Sequence, residues 1–232
     1  MRKLNEVLVK SGAEVYREIV TAVLHSLMGS IVLIPLVLFT PAPVALMLFP
    51  LLYMPLLYGG MYAYHRKWMG EASKIRDVWA GAVKGFVPSA VFGFLITVLI
   101  LIVWSTWWYY GGKDGFIYLT IAVFQTYFAL MAWASQFYTL QLVLQKQMGI
   151  FHAMGESVKL FFRHPAYTIG ACIQALIFTM PLLVTIVGFA ALFGGIAAIY
   201  MHKAANNMFQ PEAGKNEAAE AMNDGSYRAY GD

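Results

Sequence analysis

The chain predicts an all-α fold, a six-span transmembrane helix bundle with two cytoplasmic interfacial amphipathic helices and a parallel internal repeat. Three observations carry that expectation. Of its 232 residues 60% are hydrophobic and 12% charged, with a mean hydropathy of +0.63, whereas soluble domains carry about 25% charged residues. The apolar residues fall into segments that leave room for six spans of about 20 residues each. When those segments are threaded back and forth, 15 of the 16 Lys and Arg lie on one side and only Lys113 lies on the other. Basic residues are retained on the cytoplasmic side during insertion, which puts both termini inside a bacterial-type plasma membrane.

The elements follow in order. Over residues 1–20, Leu4, Val7, Leu8, Val15 and Ile19 are interleaved with Arg2, Lys3, Lys10 and Arg17, the pattern of a helix lying in the membrane interface. Ser11 and Glu14 read as a capping box that starts the helix leading into the first span. A cleaved signal peptide is disfavoured, because the apolar region starts late and Pro43 follows the small-residue site at Ala42. Span one covers residues 21–39, and Thr40, Pro41, Ala42 and Pro43 form an uncharged external turn. Span two covers 44–64 and ends in His65, Arg66 and Lys67.

Residues 68–86 are too polar to span, yet within the 70–86 stretch Ile75, Val78, Trp79, Ala82, Val83 and Phe86 recur at helical spacing. They predict a helix flat on the inner leaflet or under the bundle, with Trp79 buried at the membrane boundary and Lys74 exposed. Span three, 87–108, ends in a run of Trp and Tyr from Trp104 to Tyr110, whose half-polar rings favour the headgroup level. Gly111 to Gly115 turn the chain outside. Span four, 116–138, is expected to continue as helix past Gln141. A second interfacial helix over 149–163 should bury Phe162 and expose Lys159. The apolar run 166–201 exceeds one crossing at about 1.5 Å per residue, so it predicts spans at 166–184 and 188–203 that turn near Thr185 to Gly188. Gly188, Ala191, Gly195 and Ala198 give the last span a small-residue face for close packing within the chain. Residues 205–232 read as a disordered cytoplasmic tail.

The repeat rests on Lys67-Trp68-Met69-Gly70, which recurs as Lys146-Gln147-Met148-Gly149. An acid follows each glycine, Asp77 or Glu156, then a base, Lys84 or Arg163, and a proline at the next span, Pro88 or Pro165. Both units run span, amphipathic helix, span in the same direction, which makes the repeat parallel. Asp77 and Lys84, like Glu156 and Arg163, complement a helix dipole. The functional alternative makes Asp77, Glu156, Lys84 and Arg163 a symmetric set that docks a partner or gates a path.

Gln125, Gln136, Gln141 and Gln174 lie in spans four and five. Such amides either bond across helices or line a polar path. No Asp, Glu, Lys or Arg lies deep in a span, which argues against ion-coupled transport, and no nucleophile-elbow or zinc-protease motif is present. His25, His65, His152, His164 and His202 all fall near the inner interface without metal-ligand spacing. They predict interfacial packing, with no metal and no cofactor. Cys172 lies in an apolar run and reads as packing. The +4 formal charge is explained by anionic inner-leaflet lipids as partners, with no nucleic acid required.

The segments Pro55-Leu-Leu-Tyr-Gly-Gly60, Asp77-Val-Trp-Ala-Gly81 and Ala153-Met-Gly-Glu-Ser-Val-Lys-Leu-Phe-Phe-Arg-His-Pro165 together resemble the YesL-like bacterial integral membrane proteins. The likeness covers most of residues 15–204, and the external turn Thr40-Pro-Ala-Pro43 departs from the pattern. It implies a membrane accessory role and transfers no catalytic residue. The leading expectation is a non-enzymatic accessory or scaffold component of a transport or envelope system. The alternatives are a small-solute facilitator with a path between the repeats and an intramembrane lipid-modifying enzyme.

Overall fold

The computed structural model describes residues 4–71 and 75–228, with the side chains of 37, 186 and 210–228 left undescribed. The helices are α1 (Leu4–Arg17), α2 (Ile19–Phe39), α3 (Ala42–Trp68), α4 (Ile75–Lys84), α5 (Phe86–Tyr110), α6 (Phe116–Ser135), α7 (Thr139–Lys146), α8 (Ile150–Arg163), α9 (Pro165–Val184) and α10 (Ile186–Arg228). Six stretches are long and apolar enough to cross a membrane: Ile19–Leu36, Ala42–Trp68, Phe86–Tyr110, Phe116–Lys146, Pro165–Val184 and Val187–Phe209. The predicted spans therefore stand. Their connections follow backbone chemistry. Thr40 is extended, and Pro41 and Pro43 fix the entry to α3, where a missing N–H costs little. Gly115 at φ +135° turns the chain into α6. Between α9 and α10 the helix breaks at Thr185 alone.

Hydrocarbon offers helices no hydrophobic reason to associate, so close packing at small residues decides which ones meet. Gly59 of α3 lies against the Val78 carbonyl and Ala82 of α4. Gly93 of α5 lies against α3, where an added Cβ would stand 2.6 Å from the Pro50 carbonyl oxygen. Gly195 of α10 lies against Ala22 of α2. Of the small-residue face expected on the last span, Gly195 meets α2 and Ala198 approaches Gly60, whereas the atoms nearest to Gly188 are those of its own turn, Thr185 and Leu182. Hydroxyls add to the α2–α10 seam: the Gly195 N–H donates to Ser26 Oγ at 2.8 Å, and Ser30 Oγ donates to the Ala190 carbonyl at 2.5 Å.

Several expectations are corrected. Ser11 is not an N-cap: it lies inside α1, buried, with its hydroxyl donating back to the Val7 carbonyl at 2.7 Å, and the helix breaks after Arg17. Span four is not one helix. It breaks over residues 136–138, where Gln136 and Phe137 bond three residues back. Buried Ser157 of α8 closes the gap by donating to the Ser135 carbonyl at 2.7 Å and accepting from the Tyr138 N–H at 3.2 Å. Protein does not cover Trp79 and Phe162: they lie on the outer faces of α4 and α8, the faces expected to meet the membrane boundary, while α4 packs through Val78, Gly81 and Ala82, and α8 through Ala153, Ser157, Leu160 and Phe161. Lys159 is exposed as expected, while Lys74 lies outside the described residues. The tail boundary at 205 falls within α10, where Ala205, Met208 and Phe209 are core residues.

The two units share an order, α3–α4–α5 and α6/α7–α8–α9, with Pro88 and Pro165 both in the first turn of the next span. Their matched residues differ. Gly70 has φ +88°, whereas Gly149 is an extended N-cap and the left-handed residue beside it is Gln147.

Gly59→Ala should destabilise the fold by about 1–3 kcal/mol, because it overpacks the α3–α4 seam. Gly155→Ala, in α8 with nothing near its missing Cβ, should instead stabilise by about 0.5–1 kcal/mol through helix propensity. Denaturation in detergent with a helix-content readout checks both signs.

Candidate functional sites at the basic end and the helix break

Glu14 in the last turn of α1 and Glu18, the N-cap of α2, lie four residues apart, and the end of α3 carries Tyr64 and Lys67 at a spacing of three, so an acidic pair meets a complementary one. Tyr64 Oη donates to Glu14 Oε1 at 2.5 Å, Lys203 of α10 ion-pairs with Glu14, and Lys67 ion-pairs with Glu18. Arg17 is near both acids at 3.8 and 3.9 Å, and Lys203 also donates to the Lys10 carbonyl at 3.2 Å. The clasp binds α1 to α3 and α10 at once. Burial pushes the Glu14 carboxyl up, but hydrogen bonds from Lys203 and Tyr64, with the charges of Lys203 and Arg17, outweigh it and hold the group below its ordinary value.

Beside the clasp, His202 of α10 sits in a ring of α3 aromatics. Its imidazole centroid lies 5.1 Å from Tyr64, 5.3 Å from His65 and 5.6 Å from Trp68. Gln145 of α7 donates to Gln141 Oε1 at 2.9 Å and meets His202 Nδ1 at 3.1 Å. An amide nitrogen only donates, so in this arrangement His202 Nδ1 accepts and the ring proton is on Nε2. His202 Nε2, His65 Nδ1 and Gln141 Nε2 are buried without a hydrogen-bond partner among the described residues. The other histidines lie apart: His25 in a small cleft with Glu18, Tyr64 and Lys67, His152 on exposed α8, and His164 as the N-cap of α9. Among the described residues no three His, Cys, Asp or Glu come together as metal ligands.

The sequence-derived site residues are scattered. Asp77 ion-pairs with Arg66 at 2.6 Å, and Arg66 also holds Glu71 at 2.5 Å. Glu156 pairs within its own helix, with Lys159 at 2.7 Å and His152 at 3.9 Å; the Lys159 hydrogen bond is the main cause of its lowered carboxyl pKa. Lys84 lies 5.4 Å from the Tyr62 ring centroid, and Arg163 ends α8. The acids thus fail to occupy equivalent environments: one ties α4 to α3, the other ties α8 to itself. Glutamines at span depth each have a separate partner. Gln125 accepts from Thr106 across α5–α6, Gln136 accepts from Thr139 at 2.8 Å, Gln141 accepts from Gln145, and Gln174 accepts from Tyr200 at 3.0 Å while donating to Asn5 at 3.3 Å.

Two apolar cavities remain. A groove of ≈ 740 Å³ runs along α5 and α6 past the start of α3, lined by Ile96, Ile100, Trp104, Trp107, Trp108 and Trp133 among others. A crevice of ≈ 220 Å³ lies at the α6–α7 break between α3, α5, α9 and α10; Phe92, Trp133, Gln136, Cys172, Ala175 and Thr179 help line it. No family model, curated protein or solved structure matches the chain.

Because the folded Glu14 carboxyl titrates below its unfolded value of 4.5, its stabilisation is full above that pH and is lost as pH falls through the folded value. Glu14→Gln should cost about 1 kcal/mol at neutral pH, a figure scaled to a partly solvent-screened pair. The variant should also flatten the acid limb of a stability–pH curve measured in detergent.

Proposed function

We propose that the protein is a multi-pass plasma membrane protein, with its basic end and both termini in the cytoplasm, that serves as a non-catalytic accessory or scaffold component of a transport or envelope system. The observation that carries this reading is the dispersal of Gln125, Gln136, Gln141 and Gln174 among separate helix and turn contacts. A conduit for polar solutes needs such groups on one continuous wall, and here they fasten structure instead. The clasp of α1 across α3 and α10 favours the same reading, since it ties the first and last spans to the second rather than leaving two halves free to rock. The recurring order of span, short helix and span is a repeat of connectivity in this reading. The resemblance to YesL-like proteins is compatible with the same role.

The topology rests on the charge asymmetry. In a chain lacking Cys172, a membrane-impermeant thiol reagent should label Gly112→Cys in intact cells and Asn216→Cys only after the cells are permeabilised; both positions labelling in intact cells, or both only after permeabilisation, overturns it. For function, proteoliposomes holding the purified protein should show no uptake of small polar solutes above empty vesicles. Uptake that vanishes in Gln136→Leu would replace the scaffold with a facilitator.

A further inference from the structure

The groove and the crevice are successive along the same two helices. Ile96 lines the groove and Phe92 the crevice, one helical turn apart on α5, and Trp133 of α6 is a wall of both. From Ile96 to Trp108 the groove follows α5 for about 18 Å at 1.5 Å per residue. Its far end lies among Trp104, Trp107 and Trp108, rings that favour the headgroup level. Its near end stops at Trp133, and behind that ring the helix breaks.

We propose that groove and crevice together bind a single-chain lipid with an uncharged, hydrogen-bond-accepting head, the chain lying along the tryptophan groove and the head resting beside Gln136. Volume assigns the parts. Ligand sites usually enclose about 300–1,000 Å³; the crevice, at ≈ 220 Å³, falls below that range and the groove, at ≈ 740 Å³, within it. A chain needs the groove, and only a small head fits the crevice.

Polarity assigns the head. Among the described residues no charged side chain lines either cavity, so a carboxylate, phosphate or ammonium would be buried unpaired at a cost of several kcal/mol. Gln136 is the group with hydrogen bonds to give. Its Oε1 is occupied by Thr139, but its Nε2 reaches only Ser135 Oγ at 3.4 Å, long for a donor that carries two hydrogens. Thr179 spends its hydroxyl proton on the Ala175 carbonyl at 2.6 Å. The wall therefore donates, and a hydroxyl or carbonyl oxygen on the lipid accepts. Binding is independent of the accessory role, because a protein that carries no solute across vesicles can still hold a lipid.

The test uses the purified chain in detergent with oleyl alcohol and its comparisons: oleate with a charged head, octadecene with none, dioleoyl phosphatidylglycerol with two chains and an anionic head, and a brominated alcohol as quencher. Native mass spectrometry should find oleyl alcohol retained at one per chain, and a dibrominated stearyl alcohol should quench tryptophan fluorescence. Octadecene, lacking the head, should bind about tenfold more weakly, the equivalent of one hydrogen bond of about 1.4 kcal/mol. Gln136→Leu should lose a similar factor, and Ala175→Trp, which fills the crevice and leaves the helix break untouched, should abolish one-to-one retention. Oleate or the phospholipid binding as tightly as the alcohol overturns the inference, as does unchanged retention in Ala175→Trp. Should Gln136→Leu fail to fold, the alcohol-to-alkene ratio in the unaltered protein decides: equal binding removes the head site.

Discussion

Contact between helix backbones at Gly59, Gly93 and Gly195 is what the rest of the bundle depends on. These glycines set α4 and α5 on α3, and α10 on α2. In a lipid setting dispersion and shape decide helix pairing, so a missing side chain is a positive instruction about which surfaces meet. The large apolar residues then have nowhere to go but outward. That is why Trp79, Phe162 and most of the bulky α6 side chains lie on the protein's surface.

The second constraint is polar satisfaction. A backbone that leaves helical geometry away from water must recover its hydrogen bonds from neighbours, and Ser157 does this at the α6–α7 break. Side chains obey the same rule, through Thr106 with Gln125 and through Tyr200, which donates to Gln174 and to the Ala171 carbonyl at 3.1 Å. At the basic end, Glu14, Glu18 and Asp77 of the short helices and their caps meet Lys203, Lys67 and Arg66 of the spans. Among the described residues His65 Nδ1, His202 Nε2 and Gln141 Nε2 are exceptions, buried without a hydrogen-bond partner.

Much of the fold was legible because spans announce themselves by length and hydropathy, and the turns at Thr40 and Gly115 by their proline and glycine. Gly195 was legible as a packing surface from its spacing with Ala198. What stayed hidden depends on residues distant in sequence. The break at 136–138 contains no proline or glycine, and the serine that stabilises it lies 19 residues beyond Tyr138. Hydrophobicity marked the Trp79 face as apolar without saying whether protein or lipid covers it, and in the fold it is turned away from the protein. The clasp had a signal, Glu14 and Glu18 at i,i+4 beside Tyr64 and Lys67 at i,i+3, but its partner on α10, Lys203, is 189 positions from Glu14. Matching Lys-x-Met-Gly strings suggested equivalence, yet the left-handed residue is the glycine in one and the glutamine in the other.

The position of Ser157 also orders the making of the protein. While the ribosome has delivered only as far as Lys146, nothing yet exists to hold the Ser135 carbonyl and Tyr138 N–H apart from their helical partners, so the nascent fourth span has every local reason to be straight. The bend therefore depends on the following amphipathic segment, whose Ser157 supplies both bonds. The interior space beside Gln136 depends on later chain as well, since Cys172, Ala175 and Thr179 of α9 and Phe193, Ala197 and Met201 of α10 wall it: a cavity next to the fourth span is a property of the last two.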